Sequence, residues 1–405
     1  MQKREKLPPS SNAREAHGYE KKHQQLRQRI NDAFFGKHWT RSQIREYFGV
    51  SSHTVLRWTQ AADQDCSADG RGWRKGVMRS HSSETLERIS LIHHELSSNP
   101  KDFFTGASAI AREWSVRFTD PPPPVRTIGI MLKELHLSTS RKKGRGKGAA
   151  AYLHYPEHTL YHGMGGRVIE ADYIGRKFLT GRSAPLCFVS FSAKMNPKIR
   201  AYKRVEAETG QAMIEWSSWF FSEYEEPDFI KFDNAAPLIG STSGKRTISQ
   251  VARFFLARGI VPIYSVPRKP FSQASVEGSN SVFARKFWNA RRFSSLEDID
   301  TQLGWFNAAL IRYHGYEPRT RSRPGHFTPR IYFLRQVHES PEKPGFGMID
   351  VQHELIHLPL AYVKYFVLAE WDLETQRLTV HFENEQQLTA IHQQTFPING
   401  KKFEL

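Results

Sequence analysis

Residues 166–175 read Gly166-Arg167-Val168-Ile169-Glu170-Ala171-Asp172-Tyr173-Ile174-Gly175. Apolar and polar side chains alternate along the stretch, the two-residue period of a half-buried strand. Asp172 lies inside it, although Asp is depleted from strands. Two further strands are expected behind it, Pro185–Ser192 (PLCFVSFS) and Ile199–Val205 (IRAYKRV), so the three form an antiparallel meander. Thr209–Phe221 then carries Ala212, Met213, Trp216 and Phe220 at helical spacing. Phe229–Phe232 is a short strand running into Asp233-Asn234. A helix over Ile248–Arg258, a strand over Ile260–Tyr264 and a Pro-containing loop follow. The loop leads to a helix that begins near Ala274 and carries Glu277, Asn280, Arg285 and Lys286.

The surrounding chain is long and basic. It has 405 residues, enough for two to four domains, each able to bury a core of its own. Lys and Arg number 58 against 41 Asp and Glu, a net charge of +17. The excess is concentrated early, with 27 basic and 15 acidic residues in 1–150 but 4 and 7 in 351–405. A basic front half is the electrostatic pattern of a nucleic-acid binder, and equally of a merely soluble surface. Only Cys66 and Cys187 occur, far apart, which argues against a disulfide framework and a Cys-based zinc site and for a reducing, cytoplasmic compartment. No apolar run approaches the ~20 residues of a membrane span, and the start, MQKREKLPPS, lacks a signal-peptide core.

Upstream, a helix is expected from about His23 to Phe35, with Leu26, Ile30, Ala33 and Phe34 on one face. Thr40 can cap a helix burying Ile44, Tyr47 and Phe48; Gly49 supplies a turn; Ser51 can cap a second helix anchored by Val55, Leu56 and Trp58. That is a helix-turn-helix pattern, which leaves Ser52, His53, Thr54 and Arg57 polar and available to base edges. A plain packed hairpin would have the same pattern. Three more helices are expected over Ser83–Leu96, Gly106–Phe118 and Val125–Leu135, the second stopped by Pro121–Pro124. Arg141–Ala151 (RKKGRGKGAAA) is a basic, Gly-rich tether whose Arg141, Lys142, Lys143, Arg145 and Lys147 can lie along phosphates. After Pro344 four short strands are expected: Leu358–Val363, Tyr365–Glu370, Arg377–Glu383 and Leu388–Gln394. His353, His357, His381 and His392 have no metal-ligand spacing.

Three strands, helix, strand, helix, strand, helix is the ribonuclease-H-like plan. It would bring Asp172, Asp233 and Glu277 to one place, where three carboxylates repel unless cations lie between them. Hard oxygen donors suit Mg²⁺ or Mn²⁺. A pair of such ions about 4 Å apart can activate a water or 3′-hydroxyl and stabilise the leaving oxygen of a phosphodiester.

Residues 160–340 resemble the integrase catalytic core shared by retroviral integrases and the DDE transposases of bacterial insertion sequences. Asp172 in VIEADYIG matches the family's first Asp, Asp233-Asn234 its Asp-Asn pair, and Val276-Glu277-Gly278-Ser279-Asn280 its V-E-x-x-N pattern. Sixty residues separate the two Asp and 43 separate Asp233 from Glu277, the second gap longer than in the retroviral type. Ala235 replaces the usual Gly, Gly278 a basic residue and His314 an Asn. Trp305-Phe306-Asn307, Arg312-Tyr313 and Phe327-Thr328-Pro329 resemble the close of that core.

The resemblance implies a multidomain protein: a helix-turn-helix domain over 1–78, a second helical, DNA-binding domain over 79–140, a basic linker over 141–159, the α/β ribonuclease-H-like core over 160–340 and a small all-β barrel over 350–405. It implies a transposase or integrase that cleaves 3′ ends of a mobile element and joins them to target DNA. Asp172, Asp233 and Glu277 would hold two Mg²⁺ or Mn²⁺ ions. Arg268, Lys269, Asn280, Arg285 and Lys286 would meet double-stranded DNA. The working form would be a homo-oligomer on DNA, in the cytoplasm beside the nucleoid, with an accessory ATPase as a further partner. A catalytically silent DNA-binding regulator and a nuclease that cuts without joining are the alternatives.

Overall fold

The computed structural model describes residues 25–60, 82–138, 155–156, 167–194, 198–240, 244–317, 327–385 and 387–399. The chain divides into two compact units, Met1–His81 and Ser82–Leu405. The basic tether residues Arg141, Lys142, Lys143, Arg145 and Lys147 lie outside the described residues. Among the described residues no helix is long and apolar enough to cross a membrane.

In the first unit α1 (residues 25–31) runs into a π-helical turn, Asp32–Gly36. Two short helices follow, α2 (Arg41–Phe48) and α3 (Ser52–Gln60). Thr40 starts α2 through a reciprocal cap with Gln43, and Gly49 ends it at φ 66°, a left-handed turn that Gly adopts without steric cost. Ser51 accepts the Thr54 amide at 3.1 Å and so starts α3. Ile30, Ala33, Ile44, Val55 and Trp58 form the core. Tyr47 and Leu56, expected inside, are 51% and 37% exposed. On α3 the inward stripe is Val55, Trp58 and Thr59, and Leu56 lies about 100° around the helix from Val55.

The second unit opens with α4 (Ser83–Ser98), α5 (Ala107–Arg117) and α6 (Val125–Glu134), close to the expected bounds. Ile89, Ile92, Ile110, Trp114, Ile128 and Met131 fill their centre. A separate domain was expected here. The turn between α4 and α5 inserts Phe103 among Phe287 and Phe306, within the core of the α/β layer.

That layer follows as β1 (Val168–Lys177), β2 (Leu186–Ala193), β3 (Arg200–Val205), α7 (Gly210–Glu223), β4 (Phe229–Phe232), α8 (Ala236–Ile239), α9 (Gln250–Ala257), β5 (Val261–Tyr264), α10 (Ala274–Phe283) and α11 (Leu296–His314). β1, β2 and β3 are antiparallel, whereas β4 pairs parallel with both β1 and β5. Alternation sorts the two faces. Ile169, Ala171, Val189 and Phe191 pack with Met213, Phe220 and Phe255 of α7 and α9. Phe188 and Tyr202 pack with Phe283 and Phe306 of α10 and α11. Glu170 and Asp172, in step with Ile174, belong to the α10 side.

The remaining strands are β6 (Arg330–Gln336), β7 (His338–Glu339), β8 (Phe346–Val351), β9 (Glu354–Pro359), β10 (Phe366–Asp372), β11 (Arg377–Asn384) and β12 (Gln387–Thr395). A small barrel was expected over 350–405. β6 pairs parallel with β5 and antiparallel with all seven residues of β10. The tail thereby extends the core sheet to nine strands, β12-β11-β10-β6-β5-β4-β1-β2-β3, and β7-β8-β9 form a small second sheet. The strand expected at 358–363 lies earlier, because Pro359 ends β9 and a 3₁₀ turn follows at Leu360–Tyr362.

Candidate active site

The parallel register of β1 and β4 runs Val168–Phe229, Ile169–Ile230, Glu170–Lys231. Asp172 lies two residues further along β1, and Asp233 follows directly after the end of β4 at Phe232. Asp172 Oδ1 accepts its neighbour Tyr173's amide at 2.8 Å, and Oδ2 accepts Asn280 Nδ2 at 2.9 Å. Asp233 Oδ1 caps the turn after β4 by accepting the Ala235 amide at 3.0 Å. Burial, then the charge of Asp233 and more weakly that of Glu277, push the Asp172 carboxyl up to about 7. Burial raises Asp233 as well.

Glu277 stands in the first turn of α10, exposed. It acts on Asp172 electrostatically but is not drawn in beside it. Among the described residues no three His, Cys, Asp or Glu side chains are gathered closely enough to hold a metal ion. The donor chemistry nevertheless fits a hard divalent cation. Two half-buried carboxylates lie near enough for one to act on the other, and Asn280 Oδ1 is buried with no hydrogen-bond partner.

Beneath the carboxylates lies a polar layer that sequence reasoning missed. Glu170 and Lys231 are register partners on β1 and β4, both fully buried. Glu170 Oε2 accepts the Val276 amide at 2.9 Å and Lys231 Nζ donates to the Ser272 carbonyl, so both fix the start of α10. Tyr202 Oη donates to the Ser279 carbonyl at 2.8 Å, and Asn307 brackets Tyr202 at its amide (3.0 Å) and carbonyl (2.9 Å). Arg335 of β6 is also buried. Its Nη2 donates to Asn234 Oδ1 at 3.0 Å, while Asn234 Nδ2 donates to the Ser265 carbonyl at 2.6 Å. The Asp233-Asn234 turn is thus held from β5 and β6. A carboxylate two residues before Asp172, and a Lys in the middle of an apolar strand, were the available signals.

The expected DNA contacts are scattered. Ser52, His53 and Arg57 are exposed on α3, away from Val55 and Trp58, whereas the Thr54 hydroxyl bonds Ser51 Oγ at 2.8 Å in the cap. Arg268 is exposed at φ 57° in the loop before α10, next to half-buried Lys269. Arg285 and Lys286 are exposed on the π-helical turn that continues α10, Ala284–Trp288. Asn280 is committed to Asp172.

No family model matches the chain, and no curated protein matches it. Solved structures with a related trace include the simian T-cell lymphotropic virus intasome in complex with PP2A regulatory subunit B56 gamma: 12% identity, 69% of this chain and 98% of that one, TM-score 0.32. The Mos1 transposase paired-end complex with left transposon end is 15% identical, over 71% of this chain and 91% of that one, at TM-score 0.28. The HTLV-2 integrase catalytic core domain in complex with magnesium (dimeric form) is 15% identical over 34% and 82%, at 0.26. Likeness at these scores is loose and assigns no chemistry to this chain.

Proposed function

We propose that the chain is a divalent-metal-dependent DNA transposase or integrase of the DDE kind, with Asp172, Asp233 and Glu277 as its acidic residues. The observation that supports this reading is that Asp172 of β1 and Asp233, the residue after β4, are half-buried carboxylates near enough for the charge of one to act on the other. When bound, Mg²⁺ or Mn²⁺ would polarise the phosphodiester and lower the pKa of the attacking hydroxyl. Asp172 and Asp233 would share the ion. Asn280 orients Asp172 through its Nδ2, and its Oδ1 is buried without a partner. Glu277 would complete the set by a small movement of the α10 start, whose seat on Glu170 and Lys231 limits its travel. The exposed face of α3 is suited to a DNA groove, and pairing two DNA ends calls for at least two copies of the chain.

Asp172→Asn tests the reading. The substitution removes a charge and keeps the shape. Joined product from a terminal DNA duplex with Mg²⁺ or Mn²⁺ is expected to fall below detection, with duplex affinity at matched salt unchanged. Product formed at the normal rate would remove Asp172 from the chemistry. The exposed position of Glu277 favours a second reading, a DNA-binding protein of this fold that does not react. Wild-type protein that binds the duplex but neither cuts nor joins it would select that reading. Cut product without joined product would indicate a nuclease.

A further inference from the structure

Four basic side chains from three separate elements converge at the start of β3. Arg112 lies on α5 and donates to the Tyr313 carbonyl near the end of α11. His314 is the last residue of α11. Lys198 precedes β3, and its Nζ donates to the carbonyls of Ala193 at 3.0 Å and Lys194 at 3.1 Å and to Ser275 Oγ at 3.3 Å. Arg200 opens β3, opposite Ser192. Arg112, Lys198 and Arg200 all act on the His314 ring. Two nitrogens of the group are buried without a hydrogen-bond partner, His314 Nε2 and Arg200 Nε.

Among the described residues two acids act on the group. Glu170 acts on Lys198 and offsets part of its charge, while its Oε2 accepts the Val276 amide. Glu113 acts on Arg112, but its carboxylate bonds Arg117 at 3.2 and 3.3 Å. All four residues are half-buried, and like charges held together in such a setting are unfavourable unless an anion lies among them. Two buried nitrogens without partners beside three cations suit an oxyanion with several acceptor oxygens, which the Nε2–H tautomer of His314 would meet.

We infer that Arg112, Lys198, Arg200 and His314 form a binding site for a phosphate-class oxyanion, supplied by the phosphodiester backbone of a bound nucleic acid. The anion chemistry stands on the cluster alone; its source in DNA rests on the function proposed above. Lys198 reaches the Ser275 hydroxyl, two residues before Glu277, so a backbone held here would run alongside α10.

The test uses the full chain and two probes. The first is inorganic phosphate, titrated at constant ionic strength against chloride, with thermal unfolding as readout for wild type and Arg200→Gln. Phosphate is expected to raise the wild-type Tm with a saturating dependence, and the variant to lose most of that rise. General salting-out would raise both alike, and an equal rise in both overturns the site. The second probe is a DNA duplex, with affinity measured across a salt series. Arg200→Gln is expected to weaken binding and to lower the slope of log K against log salt by about 1. A phosphate response without a change in DNA slope would keep the anion site and assign it to free phosphate. If Arg200→Gln fails to fold, the His314 ¹⁵N resonances of wild type carry the test: movement with phosphate supports the site, and none overturns it. Strand joining lost in Asp172→Asn but measurable in Arg200→Gln separates failure of this site from failure of the catalytic reading.

Discussion

Arg335 illustrates how one side chain can govern a site it does not enter. Its guanidinium spans Asn234 Oδ1, the Ser265 carbonyl at 3.2 Å and the Asp350 carbonyl at 2.6 Å, and so ties three segments around the Asp233 turn. A Lys ammonium cannot span that fork. Arg335→Lys is expected to cost on the order of 3 kcal/mol, the worth of one or two buried bonds to a charged donor. An unchanged urea midpoint would show that the clamp is idle. His314 makes a second residue-scale prediction. Burial, with Arg200, Arg112 and Lys198 around it, holds its imidazole down to about 4, against 6.5 for the free group. Between those values the unfolded chain takes up a proton that the folded chain refuses. Stability from this group is therefore complete above pH 6.5 and is lost as the pH falls toward 4. His314→Asn should flatten that part of the urea-midpoint profile. A profile identical to wild type would assign the slope to other groups.

At the scale of elements, caps and periodicity were the legible signals. Thr40, Thr209, Ser249 and Ser295 each accept an amide at the start of a helix, and short polar residues before apolar runs advertise that role. Thr40→Ala removes the half of the α2 cap that the Thr40 hydroxyl makes with the Gln43 amide, leaving the residue-40 amide on Gln43 Oε1. It should cost about 1 kcal/mol, read as faster hydrogen exchange of the α2 amides with no change in α10. The strands carrying Asp172 and Asp233 were legible because their alternation is local. What was hidden depends on partners far along the chain. β6 went unread because the five central residues of RIYFLRQ are all buried, so alternation gives no inner and outer face. Arg335 in that run resembles a surface residue until Asn234 and Ser265 are placed beside it. Glu170 and Lys231 are similar: each is an anomaly alone, and the strand register makes them neighbours. The position of Glu277 was least legible. Sequence assigns it to the correct helix, but how far that helix leans toward β1 is set by Tyr202, Glu170 and Lys231 acting together.

For the whole molecule, the continuous sheet changes what can be removed. A tail barrel would be dispensable to the core, whereas strands paired into its sheet are not. A chain ending at residue 345 would leave β6 without β10 and expose Phe333 and Leu334, which are fully buried now. It is expected to lose its cooperative unfolding transition and to aggregate. A chain starting at residue 82, cut at the boundary between the two compact units, should keep that transition. Equal solubility and cooperativity in the two truncations would refute the distinction. The tail also determines how the protein meets mechanical load. Trp371 Nε1 donates to the Phe396 carbonyl at 2.9 Å, and the Asn399 amide reaches the Arg246 carbonyl at 3.0 Å. Traction on the C-terminus strains these two ties first, then opens β12 from β11 one rung at a time from Thr395 toward Gln387. Successive hairpins absorb the pull like a crumple zone before it reaches β4 and β1, beside Asp233 and Asp172.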